Sequence, residues 1–524
     1  MNYIDLIVIV IYILGFLLLG RLFKDNKTSE DYFLGGKSFG WFPLTLSTAA
    51  TQLSAISFIS APAFVGMKAG GGLKWLTFEF AVPLAMLVLM VFLVPPMYKL
   101  GIVSVYEYLE KRFDRSSRTL ISIVFQISRA FGTSVMVYTV ALILMSVMSI
   151  PMWQTISIIG VVTLIYSYQG GMKAVVYGDM IQMIILLLGM IACFFAGLYY
   201  LDGWDNFIAH LDSDRLVAVD FNSWGLHKGD EFGFWPMVIG GLFLYASYYG
   251  TDQSQVQRLF SAKDIKTVRK TLLANGLIRF PITLFYCIMG LIIGTFVFQT
   301  PEFLQKIPTD KPDLMIPIFI RDYLPNGIIG ILIIAIFSAA MSSLSSAINS
   351  LSAASVEDIF NRNKNLTDQQ YMRYSKLTAL FWGVVCLILA FFTGDIAKTV
   401  IEAINKIGSV FYGPILATFI MAIGTKRVTA LGANVGLLTG VALNIYLWLF
   451  VPEIFWFWWN AVGAIATFST GIIVSLLTGV SKKSTMGENN ISHLFEFDRM
   501  KATILLAYFA LIVYVSMNIS YVFT

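Results

Sequence analysis

Long apolar runs separated by short charged islands dominate this chain of 524 residues. The runs are about 18 to 28 residues long, which is the length that a helix needs to cross a bilayer. Only 13% of the residues are charged, whereas soluble proteins carry roughly 25%. These features exclude a soluble enzyme, a disordered protein and a nucleic-acid binder, and they predict an all-α polytopic membrane protein.

The apolar runs predict about fourteen transmembrane helices. The expected spans are 3–21, 42–67, 74–98, 119–149, 152–169, 174–201, 235–250, 271–298, 325–355, 376–394, 397–423, 428–451, 453–479 and 501–523. We expect one transmembrane domain over 1–480, followed by a cytoplasmic linker and a final transmembrane helix within 481–524.

Basic residues are distributed unevenly between the alternating loops. Most of the 36 Lys and Arg residues fall on the side that contains the loops 99–118, 258–270 and 362–376. The positive-inside rule makes this side cytoplasmic, and an even helix count then places both termini outside. Five charged residues are left inside predicted helices, where each needs a partner or a wet cavity: Glu79, Arg129, Asp179, Arg279 and Lys406.

Histidine and cysteine do not form a reactive group in this sequence. The three cysteines lie in separate apolar runs without a CxxC pair, and the three histidines are scattered over loops. We therefore expect no enzyme activity, and no cofactor other than coupling ions.

Polar stretches interrupt two predicted helices that are five helices apart, one over 47–57 and the other over 245–253. A single stretch of this kind is explained by Ser and Thr bonding to their own helix. A matched pair is typical of transporters built from two inverted five-helix repeats around a central site. Unwound backbone there frees carbonyls for a cation and amides for a ligand. The repeats are expected over about 42–201 and 235–423.

The ninth predicted helix carries a serine-rich segment. Ser342, Ser345 and Ser346 share one helical face, and Ser343 lies close to it. Hydroxyl and carbonyl oxygens suit a hard monovalent cation, and Asp179, predicted at a similar depth, can add a carboxylate. Close helix packing is the alternative explanation for the serines, but it does not explain Asp179.

Several motifs together resemble those of the sodium:solute symporter family, the relatives of the sodium/glucose and sodium/sialic-acid cotransporters. The resemblance runs from about residue 3 to 480. It rests on the segments Glu30-Asp31-Tyr32-Phe33, Tyr106 to Phe113, Gly170 to Val175 continuing to Asp179 and Gln182, Gln257-Arg258, and the serine-rich segment. It implies the LeuT-like five-plus-five inverted repeat with extra helices, and therefore sodium-coupled transport by alternating access.

The resemblance also implies two sodium sites. The main site would use the backbone carbonyls of Ala50, Leu53 and Ala339 with the hydroxyls of Ser342 and Ser343. The second site, found in some members, would use Asp179, Ser342, Ser345 and Ser346.

The expected solute pocket departs from the known family patterns. Its candidate residues are Gln52, Ser54, Ser57, Glu79, Arg129, Tyr245, Tyr248, Asn405 and Lys406. In one interpretation Glu79 pairs with Lys406, and the two bind a sugar or polyol. In the other, Lys406 or Arg129 meets the carboxylate of an organic acid such as sialic acid or a monocarboxylate. A third interpretation is that Arg129 and Arg279 do not bind solute and only neutralise acids or helix C-termini.

The main prediction is therefore a sodium-coupled importer of a sugar or polyol. The alternative is a sodium-coupled importer of an organic acid, and a passive channel or solute sensor is more remote. Expected partners are sodium ions, a small-molecule solute and the lipid bilayer, without nucleic acid. The expected location is the plasma membrane, as a multi-pass protein of a prokaryotic inner membrane.

Overall fold

Helices form most of the structure. The structure is a computed structural model, which describes residues 2–25, 28–53, 55–148, 150–309, 311–361, 366–392, 400–479 and 498–523. Its main helices, numbered in chain order, are α1 (Tyr3–Leu22), α2 (Trp41–Gln52), α3 (Ala55–Gly66), α4 (Leu73–Lys99), α5 (Arg115–Met148), α6 (Met152–Tyr200), α7 (Gly241–Thr251), α8 (Gln253–Phe260), α9 (Ile265–Gln299), α10 (Ile328–Ser355), α11 (Asp368–Ala390), α12 (Val400–Gly424), α13 (Ala430–Phe450), α14 (Phe457–Thr478) and α15 (Arg499–Met517). Within the described ranges no strand forms, and the β structure is limited to an isolated bridge between Phe39 and Ala262. The predicted all-α membrane fold is confirmed.

Eleven helices of the described chain are long and apolar enough to span a membrane, and α2 with α3 forms a bent twelfth. The 49 residues of α6 would extend about 74 Å at 1.5 Å per residue, more than twice the thickness of the hydrocarbon core. Gly171, with φ 55° and ψ −148°, interrupts α6 between the predicted spans 152–169 and 174–201. The count of fourteen spans and the outer placement of the termini stay predictions.

Several helices begin earlier than their apolar runs predict. α9 begins at Ile265 rather than near residue 271, because Asp264 caps it by accepting a hydrogen bond of 2.6 Å from the Thr267 amide. Thr367 likewise caps α11 through a capping box, so that this helix begins eight residues before the predicted 376. Apolar run length therefore underestimates helices that extend past the membrane core.

Both predicted interruptions are present. α2 ends at Gln52, where Leu53 leaves the helical region with ψ 78°, and α3 then continues at an angle of 56°. α7 ends at Thr251, and the extended residue Asp252 caps α8 through the Ser254 amide. These breaks lie within the polar stretches 47–57 and 245–253.

The innermost helix is α10, which packs against α1, α5 and α6. α1 and α15 lie at the periphery and expose apolar side chains, as expected for helices that contact lipid. α3 and α9 approach closely at Gly66, Gly290 and Gly294. The two broken helices meet α4, α5, α9, α10 and α12 around one central cavity.

Candidate functional site

A central cavity of about 140 Å³ lies between the broken helices and their neighbours. Seven of the predicted site residues line it: Gln52, Ser57, Glu79, Arg129, Tyr248, Ser343 and Asn405. Its other lining residues include Asp252, Arg279, Tyr286 and Tyr412. The cavity therefore combines aromatic walls with charged groups, as is typical of a site for a small polar solute.

The other predicted residues lie elsewhere. Tyr245 is buried beside the cavity, with its ring 6.4 Å from that of Phe78. Lys406 lines a separate cavity together with His227, Glu231 and Glu453. Ser54 lies outside the described residues.

Glu79 pairs with Arg279 and not with Lys406, which corrects the expectation from the sequence. Nη2 of Arg279 lies 2.6 Å from Oε1 and Nε lies 3.0 Å from Oε2, while Thr283 donates a third hydrogen bond of 3.0 Å. Both oxygens of Glu79 thus accept hydrogen bonds within the protein, and both side chains are buried. The sequence predicted Glu79 and Lys406 at a similar depth, but α4 packs against α9, which places Arg279 opposite Glu79.

Arg129 forms the second ion pair of the cavity. Its Nη1 lies 3.5 Å from Oδ2 of Asp252, and its guanidinium carbon lies 5.9 Å from the centre of the Tyr248 ring. Asp252 is the residue at which the broken helix changes direction. The sequence stretch 245–253 contains Asp252, so its polar character was the signal that could have identified this partner.

Three buried polar atoms of lining residues have no hydrogen-bonding partner among the residues that the structure describes. They are Nε of Arg129, Nη1 of Arg279 and Oγ of Ser343. Buried polar groups are nearly always paired, so unpaired groups that line a cavity are available to water or to a bound solute. The two guanidinium nitrogens can donate hydrogen bonds to an anion, whereas the Ser343 oxygen can coordinate a cation.

The residues of the expected main sodium site lie beside the break after α2 and on α10, which packs against α2 and α3. Ala50 lies in the last turn of α2 and Leu53 is its C-cap, in a region where helix carbonyls lose their intrahelical partners. Ser342, Ser343 and Ala339 lie on α10, and all five residues are buried. These groups supply carbonyl and hydroxyl oxygens of the kind that bind a hard monovalent cation.

Asp179 lies in an adjacent buried cluster with the serines of the expected second site. Ser342 donates a hydrogen bond of 2.6 Å to its Oδ1, and Ser47 donates one of 2.6 Å to its Oδ2. Ser345 and Ser346 both donate to the carbonyl of Ser342, at 2.9 and 2.7 Å. The structure therefore brings Asp179 together with the serine-rich segment.

Arg258 also belongs to this cluster, although its basic charge predicted a loop. Its Nη2 lies 2.8 Å from Oδ2 of Asp179, and the side chain is 2% exposed. Arg258 lies on α8, which is too short to cross a membrane and follows the break at Asp252. The helix is nonetheless fully buried, and it carries the arginine into the protein core.

Comparison with known proteins decides the family. The sodium:solute symporter family profile matches residues 32–440. The chain belongs to the sodium:solute symporter family. The resemblance seen in the sequence is confirmed, and the protein is a multi-pass membrane transporter that couples a small solute to sodium.

Individual members of the symporter family are moderately similar to this chain. The sodium-coupled monocarboxylate transporter 1 of Xenopus laevis is 30% identical over 427 residues, which cover 80% of this chain and 67% of the relative. The sodium/sialic acid symporter SiaT of Proteus mirabilis is 29% identical over 491 residues, with 92% and 96% covered.

A solved structure supports the fold of this symporter. It is a substrate-bound, outward-open state of a sodium-coupled sialic acid symporter, described as revealing a novel sodium site. It superimposes with a TM-score of 0.82 at 27% identity, and the match covers 92% of this chain and 99% of that one. The LeuT-like architecture is therefore confirmed.

Proposed function

We propose that this symporter imports a small organic acid, bound as its carboxylate anion, together with sodium by alternating access. The observation that carries this proposal is the pair of unpartnered guanidinium N–H groups of Arg129 and Arg279 at the central cavity. Arginine presents planar N–H donors that match a carboxylate, and hydrogen bonds to charged groups are the stronger ones.

The charge balance of the cavity explains why an anion would need sodium. The charged residues that line it are Glu79, Asp252, Arg129 and Arg279, and their charges sum to zero. A bound carboxylate adds an uncompensated negative charge to a buried site, which is unfavourable. A sodium ion at Ser343, which lines the same cavity, would restore neutrality. Solute and sodium therefore favour each other's binding.

An organic acid now fits better than the sugar or polyol of the main prediction. The sugar interpretation required Glu79 and Lys406 to face the solute together. Both oxygens of Glu79 are engaged by Arg279 and Thr283, and Lys406 lines another cavity. The similarity to transporters named for monocarboxylate and sialic acid, which are both carboxylates, supports the same choice.

We propose Ala50, Leu53, Ala339, Ser342 and Ser343 as the main sodium site. The unpaired Ser343 hydroxyl beside the broken α2 supports it. We propose Asp179, Ser342, Ser345 and Ser346 as a second site, supported by their contacts in one buried cluster. Two ions per solute would square the concentrating power of the sodium gradient.

The inverted repeats over about 42–201 and 235–423 are also proposed, with the final segment 481–524 as a linker and last helix. The paired breaks at Leu53 and Asp252 support this division, because broken helices occupy corresponding positions in such repeats. The match to nearly the whole length of a Proteus mirabilis relative supports a prokaryotic inner membrane.

Uptake into proteoliposomes tests the proposed function. An inward sodium gradient should drive accumulation of labelled monocarboxylates or sialic acid, and a choline gradient of the same size should not. Neutral sugars and polyols should neither accumulate nor compete. Accumulation of a neutral sugar without any acid would overturn the substrate proposal, and sodium-independent equilibration of every solute would indicate a passive channel.

A further inference from the structure

Arg258 occupies the cluster that we propose as the second sodium site. Nη2 of its guanidinium contacts Asp179 Oδ2 at 2.8 Å and also donates to the hydroxyl of Ser346. Its Nε donates a hydrogen bond of 2.8 Å to Ser47, which itself donates to Asp179. The arginine thus contacts two of the four proposed sodium ligands.

The contacts of Arg258 join three helices of the fold. Arg258 lies on α8 and is tied to that helix by a bond from Nη1 to the carbonyl of Ser254. Asp179 lies on α6 and Ser346 on α10. The position of α8, just after the break at Asp252, is therefore coupled to the carboxylate.

Sodium and the guanidinium would need the same oxygens. Asp179 is the acidic member of the proposed site, and it is fully buried. Two cations beside one buried carboxylate would repel each other strongly where the dielectric constant is low. We propose that Arg258 and a sodium ion are alternative cations for Asp179, so that sodium binds there only when Arg258 releases the carboxylate.

This inference rests on the proposed second sodium site and adds a consequence for the transport cycle. With Arg258 engaged, Asp179 is neutralised without sodium, and α8 is held against α6 and α10. Sodium binding would free Arg258 and with it α8. A ligand that prefers one of two arrangements shifts the protein towards that arrangement, so occupancy of the second site would bias the broken helix.

Equilibrium sodium binding to the purified full chain tests the competition without any solute. Labelled sodium is titrated onto wild type and onto Arg258→Gln, and thermal stability is followed over the same concentrations. Arg258→Gln should bind sodium at the Asp179 site about tenfold more tightly, the scale of a typical coupling between two ligands. The additional Asp179→Asn change should remove this gain.

Two further variants separate charge from packing. Arg258→Lys keeps the cation and should leave sodium affinity near wild type. If Arg258→Gln folds only in high sodium, the two variants are compared by their unfolding midpoints. The midpoint of Arg258→Gln should then rise with sodium far more steeply than that of Arg258→Lys. Arg112→Gln removes a buried arginine whose guanidinium donates to the carbonyl of Thr425, and should not change sodium binding. Unchanged or weaker sodium affinity in Arg258→Gln would overturn the inference. A wild-type protein that binds no sodium at all would instead overturn the proposed function.

Discussion

The carboxylate of Glu79 is held at two points by the guanidinium of Arg279, with N–O distances of 2.6 and 3.0 Å. The pair joins α4 to α9 beside the central cavity and fixes the plane of the guanidinium. One of its nitrogens, Nη1, remains unpaired. Arg279 can therefore position a bound anion while Glu79 keeps the arginine in place.

Removing one member of this pair should destabilise the protein more than removing both. Glu79→Gln or Arg279→Gln leaves a buried charge without its partner, which costs about 3–5 kcal/mol in the free energy of unfolding. The Glu79→Gln/Arg279→Gln double variant removes both charges and should lose much less than the sum of the single losses. Unfolding midpoints in detergent micelles measure this coupling. Additive losses would show that the two side chains act independently.

Arg129 should determine the affinity for the solute carboxylate. Arg129→Gln should raise the KM for the transported acid about ten- to a hundredfold, because it removes a charged hydrogen-bond donor. Arg129→Lys keeps the charge but lacks the planar arrangement of N–H donors, so its KM should lie between those of wild type and Arg129→Gln. Initial rates of uptake against solute concentration provide the measurement.

A matched variant separates solute binding from folding at this position. Arg129→Gln also leaves Asp252 without its partner at 3.5 Å. The Arg129→Gln/Asp252→Asn double variant restores charge balance and should recover stability without recovering solute affinity. A normal KM in both variants would exclude Arg129 from the carboxylate site.

The sequence predicted the helices and their breaks because these depend on local composition. An apolar run long enough to span the bilayer has few alternatives to a helix. A polar stretch within such a run marks where backbone groups can leave the helix, as they do at Leu53 and Asp252. The predicted positions of the helix ends were less accurate, because capping residues such as Asp264 allow helices to begin within polar sequence.

Charge pairing could not be predicted in the same way. Counting residues from a membrane surface gives the depth of a side chain but not the direction in which it points. Glu79 therefore had Lys406 as a candidate partner at equal depth, although the packing of α4 on α9 provides Arg279. Arg258 was placed in a loop because of its basic charge, yet it lies on α8, whose residues are all buried.

Ser343 should affect sodium dependence without affecting folding. Ser343→Ala removes a hydroxyl that is buried and unpaired, so the loss of this group should leave stability unchanged or slightly higher. If the hydroxyl binds sodium, the sodium concentration for half-maximal uptake should rise about tenfold. Ser60→Ala is the matched control, since Ser60 is also buried and unpaired but lies outside the proposed sites. Equal sodium dependence in both variants would contradict the assignment of Ser343.

The close contact between α3 and α9 should require glycine at positions 66 and 290. A Cβ atom at Gly290 would lie 2.6 Å from the Pro62 carbonyl oxygen, and one at Gly66 would lie 2.1 Å from the Gly290 oxygen. These obstacles are backbone atoms that cannot rotate away, so Gly290→Ala should cost about 1–3 kcal/mol of stability.

Gly15→Ala provides the control for this contact, because beyond the adjacent residues and backbone of its own helix no described atom lies within 4 Å of a Cβ at Gly15. Its unfolding midpoint should match or exceed that of wild type, since alanine favours a helix over glycine. α3 also begins directly after the break that carries the proposed main sodium site. Gly290→Ala should therefore weaken sodium binding as it displaces α3, and Gly15→Ala should not. Normal stability and sodium affinity in Gly290→Ala would show that α3 and α9 can separate without disturbing the site.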